Sequence, residues 1–518
     1  MVIKCSVQGG VFINFLDDAS NYFDKNKNDL GIIFFVISLL LLCYLFLHPM
    51  NQHFIHGDER FTLSLVNLSL NNSIDLIIKD VHPPLYYFIL MGFNHLVGNT
   101  DIMHNLFISK IVSIIPYICL LIISATKIRK DEGWFVAGLF ALTIITMSGF
   151  FTSYCTLRMY SWSLLFSILS YIYFKEIFKN SSIKNWVLFS IFCVLGAYTH
   201  YFTVFPSFIM YCILLLDIYI KNKNDMVMLK EEIKKVVMSV LLAIVLYIPW
   251  LSVLLQQVNQ AHGDYSWSIG YIPTVGNITN YITFCAVNDN NFTIDAIILK
   301  LITIGLIIIL LVLIYKTFKD KGISETITTY DGIIIYLMTI IIGTIVLNLT
   351  FQPLIERYVI PAMGIFWISF ALVLNKLENK RVVLILFVIC LLLSCGSFVK
   401  MEDQSQKTIK LSIHRENLFK KLNNEENVII YPSNYRYSCY HNFLNNSIQY
   451  SRAKNKWTYV QDYKVEKNLT KIVEDNPGKK VYMMDEYYKD SKKGIKYPKE
   501  LKTKPQKGYD EFILLTKK

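Results

Sequence analysis

The stretch His56-Gly57-Asp58-Glu59-Arg60 is followed by Asp80-Val81-His82-Pro83-Pro84-Leu85-Tyr86-Tyr87, and long apolar segments lie on both sides of these two motifs. Because apolar segments flank them, the carboxylates are predicted to lie at a membrane surface and not in a soluble domain. Carboxylates beside lipid are costly unless they are paired, hydrated or used in chemistry. The stretch therefore predicts a membrane protein with a functional site in its first large loop.

The composition of the chain agrees with a membrane protein. Of its 518 residues, 53% are hydrophobic and only 17% are charged, and apolar runs recur between residues 31 and 398. A soluble globular domain does not have this composition. The net charge of +12 comes from Lys and Arg residues that concentrate in short loops and in the C-terminal tail. This pattern is typical of membrane topology, so we expect no nucleic-acid partner.

About eleven apolar runs approach the roughly 20 residues that a membrane-spanning helix needs. The segment 84–97 is short and begins next to two prolines, and we interpret it as an interfacial helix of the first outer loop. The basic loops then share one side with the N-terminus, which is cytoplasmic by the positive-inside rule, and the C-terminus lies outside. The predicted spans are 31–47, 105–126, 133–150, 160–174, 186–197, 202–220, 236–255, 296–315, 332–349, 358–374 and 382–398.

Three segments are expected along the chain. Residues 1–30 are polar and mixed in charge and are predicted to be cytoplasmic, whereas residues 31–400 form an all-α multi-span domain. Residues 401–518 are predicted to form a small extracytoplasmic α/β domain. Its apolar spacing predicts a helix over 408–422 and strands at 427–431, 480–484 and 511–515. We see no catalytic motif in this last segment.

The predicted topology collects unusual residues on the outer face, whereas the cytoplasmic loops are short and basic. Carboxylates that face several cations and a histidine, at the outer ends of separate spans, are suited to bind and transform an anionic lipid. The candidate site residues are Asp58, Glu59, Asp80, His82, Lys110, Arg158, Tyr160, His200, Arg357 and Tyr358.

Five motifs resemble, in order, those of family 39 glycosyltransferases of the GT-C superfamily. This family includes protein O-mannosyltransferases, aminoarabinose transferases and their bacterial relatives. The motifs are Asp58-Glu59, Asp80-Val81-His82-Pro83-Pro84-Leu85, Arg158-Met159-Tyr160, Tyr198-Thr199-His200-Tyr201 and Glu356-Arg357-Tyr358-Val359-Ile360-Pro361. The resemblance covers roughly the first four-fifths of the chain. It implies a GT-C fold and an inverting transferase that takes a sugar from a polyprenyl or dolichyl phosphate, with the acidic motif supplying the base.

The sequence departs from the family pattern in two places. Lys110 stands where the family usually has an arginine, so the charge is kept but the bidentate fork is lost. Cys155 and Thr156 stand where many relatives have Gln-Glu. The second departure weakens the case for a second acidic site.

The chemistry assigns roles to the candidate residues. Inverting transfer to a hydroxyl needs a carboxylate that takes the proton while the leaving group departs on the opposite face of the sugar. Asp58 is the predicted base, and Glu59 is expected to hold or tune it. Negative charge builds on the departing phosphate, and stabilising that charge is expected of cations and a histidine. The residues expected to bind donor phosphate or substrate are Asp80, His82, Lys110, Arg158, Tyr160, His200, Arg357 and Tyr358.

Other interpretations stay open from the sequence. Asp58 and Glu59 can be a solvated loop pair, Asp80 can cap an interfacial helix, and the arginines can be interface anchors. A transporter or flippase of lipid-linked saccharides also fits a multi-span chain, although such proteins often carry paired repeats and this sequence has none.

The expected partners are a polyprenyl-phosphate-linked sugar, membrane lipids and an acceptor that is a lipid, a glycan or a protein. No cofactor is required by the sequence, and dependence on a divalent metal stays open. We expect a multi-pass protein of a bacterial cell membrane with an extracytoplasmic active site. Cys155, Cys285 and Cys439 fall in predicted outer segments, and disulfide pairing among them stays open.

Overall fold

The structure is a computed structural model that describes residues 2–264, 275–288, 293–349, 355–432, 434–452, 464–485, 488, 495–506 and 509–518. Most of the described chain is helical. In chain order the helices are α1 Val2–Phe46, α2 Gly57–Val66, α3 Leu70–Lys79, α4 Leu85–Leu96, α5 Leu106–Ile123, α6 Arg129–Thr146, α7 Ser148–Cys155, α8 Tyr160–Lys179, α9 Ile183–Thr199, α10 Val204–Asn222, α11 Met226–Asp264, α12 Val275–Thr283, α13 Ile294–Thr329, α14 Asp331–Leu349, α15 Ile360–Lys376, α16 Lys380–Leu422, α17 Asn434–Tyr440 and α18 Leu469–Glu474.

The helices confirm a multi-pass membrane protein. Within the described residues, eight helical stretches are long and apolar enough to cross a membrane. One of them, Leu106–Thr146, contains two predicted spans, which separate near Gly133, where the backbone adopts a φ of 89° that suits glycine. Helices α8 and α9 are not among the eight, and α9 has only 17 residues. The count of eleven spans stays a prediction.

Two segments of the predicted topology correspond to single helices in the structure, α4 and α1. α4 has 12 residues, fewer than the roughly 20 that span a membrane, which agrees with an interfacial helix. α1 is a single helix of 45 residues, so the polar segment 1–30 is continuous with the first predicted span.

Contacts divide the chain into two compact units. Unit 1 comprises Met1–His48, Ser113–Cys155 and Met159–Gln404, and unit 2 comprises Pro49–Val112, Thr156–Arg158 and Ser405–Lys518. Residues 49–112, which contain the loop predicted to be the first outer one, are therefore grouped with the C-terminal residues, a grouping that the sequence did not suggest. The functional division at residues 30 and 400 stays a prediction.

Unit 1 is built around α15. Every residue from Ile360 to Leu374 is buried, as expected of a helix that is apolar on all sides. The indole Nε1 of Trp367 donates a hydrogen bond to the carbonyl of Cys285 over 2.8 Å. A Cβ on Gly332 of α14 would come within 2.6 Å of the Ile365 carbonyl oxygen, so this glycine lets α14 approach α15 closely.

Unit 2 contains a six-stranded mixed sheet. Its strands are β1 Asn427–Tyr431, β2 Ile448–Ser451, β3 Lys464–Val465, β4 Lys480–Met484, β5 Leu501–Gln506 and β6 Tyr509–Lys517. The order is β3-β2-β1-β4-β6-β5, in which the first four strands are parallel and β6 is antiparallel to both of its neighbours. Val428, Ile430 and Val481 belong to the buried core on one face of the sheet. The mixed sheet agrees with the predicted C-terminal α/β domain, and the predicted strands correspond to β1, β4 and part of β6.

We expect Gly138→Ala to destabilise unit 1. A Cβ at Gly138 of α6 would overlap the backbone carbonyl of Gly31 in α1, so the two helices would have to separate. Overpacking of this kind costs about 1–3 kcal/mol. Thermal unfolding of the purified protein in detergent measures the change. Gly305→Ala in α13 is the control, since a Cβ there meets nothing within 4 Å, and equal melting temperatures for the two variants would contradict the close crossing.

Candidate functional site

The ten candidate residues form two groups, one in each unit. Unit 2 holds the two acidic motifs together with Lys110 and Arg158, and unit 1 holds the aromatic residues, His200 and Arg357.

The acidic pair lies in the first turn of α2. Acidic side chains are favourable at a helix N-terminus, because the backbone dipole is positive there. Glu59 is the third residue of the helix, and its Oε2 accepts hydrogen bonds from the backbone N–H groups of Ile55 and His56, the latter over 2.9 Å. Glu59 is fully buried, whereas Asp58 is only half-buried. The two adjacent carboxylates therefore differ in access to solvent.

The other oxygen of Glu59 is occupied as well. Oε1 accepts from the backbone N–H of Leu157 over 3.1 Å and forms an ion pair of 3.1 Å with Lys110 Nζ. A carboxylate offers about four acceptor positions, and four donors meet this one. Glu59 therefore holds the start of α2 in place and has no free lone pair for a substrate proton.

Lys110 is also saturated by protein oxygens. Its side chain is fully buried, and besides Glu59 its Nζ donates to the carbonyls of Met50, over 2.9 Å, and of His53, over 2.5 Å. An ammonium group has three donors, so all of them are used. This geometry favours a positioning role for Lys110, which ties the loop before α2 to α5.

The second acidic motif fixes Arg158 through a chain of hydrogen bonds. Asp80 Oδ2 accepts from His82 Nδ1 over 2.9 Å and from the Tyr87 hydroxyl over 2.9 Å. Arg158 Nη2 lies 2.9 Å from His82 Nε2 and donates to it. Since both ring nitrogens are occupied, His82 orients the guanidinium and is not placed to take a proton from a substrate.

The same guanidinium reaches the helix that carries Asp58. Arg158 Nη1 donates to the Thr62 hydroxyl over 3.2 Å, and that hydroxyl donates to the backbone carbonyl of Asp58 over 2.9 Å. Asp58 also interacts electrostatically with His82 and Tyr87. The structure thus brings Asp58, Asp80, His82 and Arg158 into one network within unit 2.

The protonation states in this network follow from burial and charge. Burial lowers the pKa of His82, and Arg158 lowers it further against the opposing charge of Asp80. Burial alone would raise the pKa of Asp80, but His82 and Arg158 outweigh it, so the pKa of this carboxyl is lowered. Burial and the Asp80 charge raise the pKa of Tyr87 well above its ordinary value. At neutral pH the network therefore holds an ionised Asp80, a neutral His82 and a protonated Tyr87.

The unit 1 group is an aromatic cluster around a histidine. The ring of His200 lies between those of Tyr160 and Tyr358, with centroids 5.5 and 5.1 Å away. The Arg357 guanidinium lies 5.6 Å from the centre of the Tyr160 ring, within the range of a cation–π contact. His200 Nδ1 accepts from the Phe202 backbone N–H over 3.2 Å, so the proton of the neutral ring resides on Nε2. This cluster brings together a guanidinium and an imidazole, side chains of the kinds that bind anionic groups in proteins.

Neither a cluster of metal-ligating side chains nor a disulfide bond is found in the described part of the chain. Within it, no group of three or more His, Cys, Asp or Glu side chains is placed to hold a metal ion. Cys155, Cys285 and Cys439 are buried and form no disulfide bond within the described residues.

Sequence reasoning missed two members of the unit 2 network. Thr62 follows Asp58 by four residues, a spacing that places both on one helix face once α2 is recognised. Tyr87 was visible within the Pro-Pro-Leu-Tyr-Tyr stretch, but only the fold shows that its hydroxyl returns to Asp80.

Solved structures resemble this fold. The chain is similar to ArnT from Cupriavidus metallidurans in the apo state, with a TM-score of 0.57 and 9% identity, covering 93% of this chain and 97% of that chain. The fold is ArnT-like. The same protein bound to undecaprenyl phosphate gives a TM-score of 0.54 and 8% identity, covering 94% of this chain and 98% of that chain. No protein-family profile and no curated protein matches the sequence.

We expect the His82 network to make stability fall with acid. The folded pKa of His82 lies below its ordinary value of 6.5, so the unfolded chain takes up this proton first, and stability is lost as the pH falls below about 6.5. His82→Gln keeps a donor and an acceptor but does not titrate. Thermal unfolding at about pH 7.5 and about pH 5.5 should show a smaller acid-induced loss in the variant than in the unsubstituted protein. An equal acid-induced loss of stability in the two proteins would show that His82 is not its cause.

Proposed function

We propose that this chain is an integral-membrane, inverting glycosyltransferase that moves a sugar from a polyprenyl-phosphate donor to an acceptor hydroxyl. The observation that carries the proposal is the difference in burial and hydrogen bonding between the two acidic residues of α2. Glu59 is fully buried and meets four donors, while Asp58 is partly exposed and its backbone carbonyl is linked through the Thr62 hydroxyl to Arg158. A base must reach its substrate, and Asp58 is the member of the pair that can.

In the proposed mechanism Asp58 takes the proton of the acceptor hydroxyl as its oxygen attacks the anomeric carbon. The bond from that carbon to the donor phosphate breaks on the opposite face, and the polyprenyl phosphate departs with the negative charge. Arg158, oriented by His82 and by Thr62, supplies a fixed positive charge in the network that contains Asp58. Fixed charges need no reorganisation during the reaction, which makes them effective at stabilising developing charge.

The nature of the donor is supported by the comparison of folds. The ArnT-like fold is that of a GT-C aminoarabinose transferase, and ArnT was solved with undecaprenyl phosphate bound. We carry this lipid class over to the present chain as a proposal. His200, Arg357, Tyr160 and Tyr358 are then the proposed contacts to donor phosphate or substrate, and Lys110 is reassigned to holding the loop before α2.

Several finer features belong to the same proposal. We propose membership of the family 39 transferases, a cytoplasmic N-terminus, an extracytoplasmic active site in a bacterial cell membrane and a separate role for the residues after 400. The acceptor is a glycolipid, a cell-wall polymer or a protein. The competing function is transport or flipping of a lipid-linked saccharide.

A donor-exchange assay tests the proposal. Purified protein in lipid nanodiscs is given either a panel of polyprenyl-phosphate sugars or the matching nucleotide sugars, with a membrane extract as the source of acceptors. We expect covalent transfer from a lipid-linked donor and none from nucleotide sugars. Transfer from nucleotide sugars alone would contradict the proposal. Movement of the lipid-linked donor across a proteoliposome bilayer without covalent transfer would favour a flippase.

We expect Asp58→Asn to reduce kcat by roughly two to four orders of magnitude, the usual loss when a general base is removed. The amide keeps the size of the side chain, so donor binding and thermal stability should change little. Asp101→Asn is the control, because Asp101 is an exposed carboxylate of the same outer segment, paired with the exposed His104. Full turnover by Asp58→Asn would exclude Asp58 as the base.

A further inference from the structure

Side chains near the C-terminal end of α16 form hydrogen bonds with the loop that precedes Asp58. Ser412, Glu416 and Phe419 follow each other at intervals of four and three residues, so they share one face of the helix. The Ser412 hydroxyl donates to the carbonyl of Phe54 over 2.5 Å, and Glu416 Oε1 accepts from the Phe54 backbone N–H over 3.1 Å. Both backbone polar groups of Phe54 are therefore satisfied by side chains from one distant helix.

Glu416 holds the neighbouring residue too. Its second oxygen, Oε2, lies 2.9 Å from His53 Nδ1. The carbonyl of His53 in turn accepts from Lys110, and the N–H groups of Ile55 and His56 are taken by Glu59. Successive backbone groups of this loop are thus anchored to α5, to α2 and to α16.

A second anchor follows Asp58 by two residues. Arg60 is only 1% exposed, and within the described residues its guanidinium nitrogens have no hydrogen-bond partner. Four aromatic rings surround the guanidinium carbon instead. The distances to their centres are 4.6 Å for Phe54, 5.1 Å for Phe419, 5.5 Å for Tyr440 and 5.7 Å for Phe443.

This aromatic cage connects three parts of unit 2. Phe54 lies in the loop that precedes Asp58, and Phe419 lies on the same face of α16 as Glu416. Tyr440 belongs to α17, and Phe443 belongs to the turn that follows it. A buried cation without hydrogen bonds is costly unless aromatic faces or nearby charges compensate it. The arginine is therefore stable only while α2 stays against the C-terminal residues, and α2 and α17 do pack together.

We propose that the outer segment of α16, with α17 and its following turn, positions the catalytic base, and that Glu416 and Arg60 are positioning residues for Asp58. Asp58 lies between the two anchors, four residues after Phe54 and two before Arg60. The C-terminal part of the chain then contributes to catalysis by holding Asp58 in position. The inference rests on the proposed role of Asp58.

Hydrogen–deuterium exchange on the full-length protein tests the contact without an activity assay. In Glu416→Ala we expect the amides of residues 54–59 to exchange at least about tenfold faster, because their anchor is lost. The amides of β1 and β4 should keep their rates. Asn417→Ala is the matched control, since Asn417 is the next residue and is exposed. Unchanged exchange at 54–59, or an equal rise in β1 and β4, would overturn the proposal.

Glu416→Gln keeps the inference testable if the alanine variant fails to fold. The amide oxygen still accepts from the Phe54 N–H, so exchange at 54–59 should rise less than in the alanine variant. Exchange in Glu416→Gln as fast as in Glu416→Ala, in a folded protein, would contradict the role of that hydrogen bond.

Steady-state kinetics distinguish a positioning role of Glu416 from a role in acceptor binding. Small displacements of a catalytic group can cost about a hundredfold in rate, so Glu416→Ala should lower kcat roughly ten- to a hundredfold with little change in the KM for acceptor. A raised acceptor KM with unchanged kcat would overturn positioning in favour of an acceptor site. Absence of transfer by the unsubstituted protein would count against the proposed function, whereas the exchange comparison judges the contact independently.

Discussion

The buried ion pair between Glu59 and Lys110 is the interaction on which the start of α2, and with it the unit 2 site, depends. Both side chains are fully buried, and removing one partner from such a pair typically costs about 3–5 kcal/mol because the other charge is left uncompensated. The two side chains also form hydrogen bonds to the backbone of Met50, His53 and Leu157. These contacts bring together segments that are far apart in sequence, so the pair defines where α2 begins and how its first turn is oriented.

A fixed first turn explains how two adjacent acidic residues take different roles. Successive side chains on a helix point about 100° apart, so the rotation that directs Glu59 back onto the N–H groups of Ile55 and His56 directs Asp58 elsewhere. Asp58 keeps partial exposure, and its carbonyl is tied through Thr62 to Arg158. The second acidic motif repeats this arrangement, since Asp80 is buried and its role is to orient His82, which orients Arg158. Glu59, Asp80 and His82 are thus held by contacts within the protein, whereas Asp58 keeps partial exposure.

Much of the fold was predictable from the sequence, because the apolar runs of membrane-spanning helices are visible in it directly. The short apolar segment of α4, the C-terminal strands β1 and β4 and the helix over 408–422 all follow from local composition. The grouping of residues 49–112 with residues 405–518 was not predictable, since it depends on side-chain contacts such as Glu416 to Phe54 across more than 360 residues. No periodicity or motif encodes a contact of that kind. The candidate residues were found by their motifs, but their saturation with hydrogen bonds, as at Lys110, is a property of the packed structure.

The role of Glu59 shows why a motif alone cannot assign chemistry. Glu at the third position of a helix usually signals a capping box when Ser, Thr, Asp or Asn precedes it by three residues. Here His56 occupies that position, so the local signature is hidden, and the Asp-Glu pair reads as two equivalent candidates. In the structure their surroundings differ, because four donors meet the Glu59 carboxylate whereas Asp58 is partly exposed. Under the proposed function the base is Asp58, the partly exposed member of the pair, and Glu59, whose hydrogen bonds are satisfied within the protein, keeps the first turn of α2 in place.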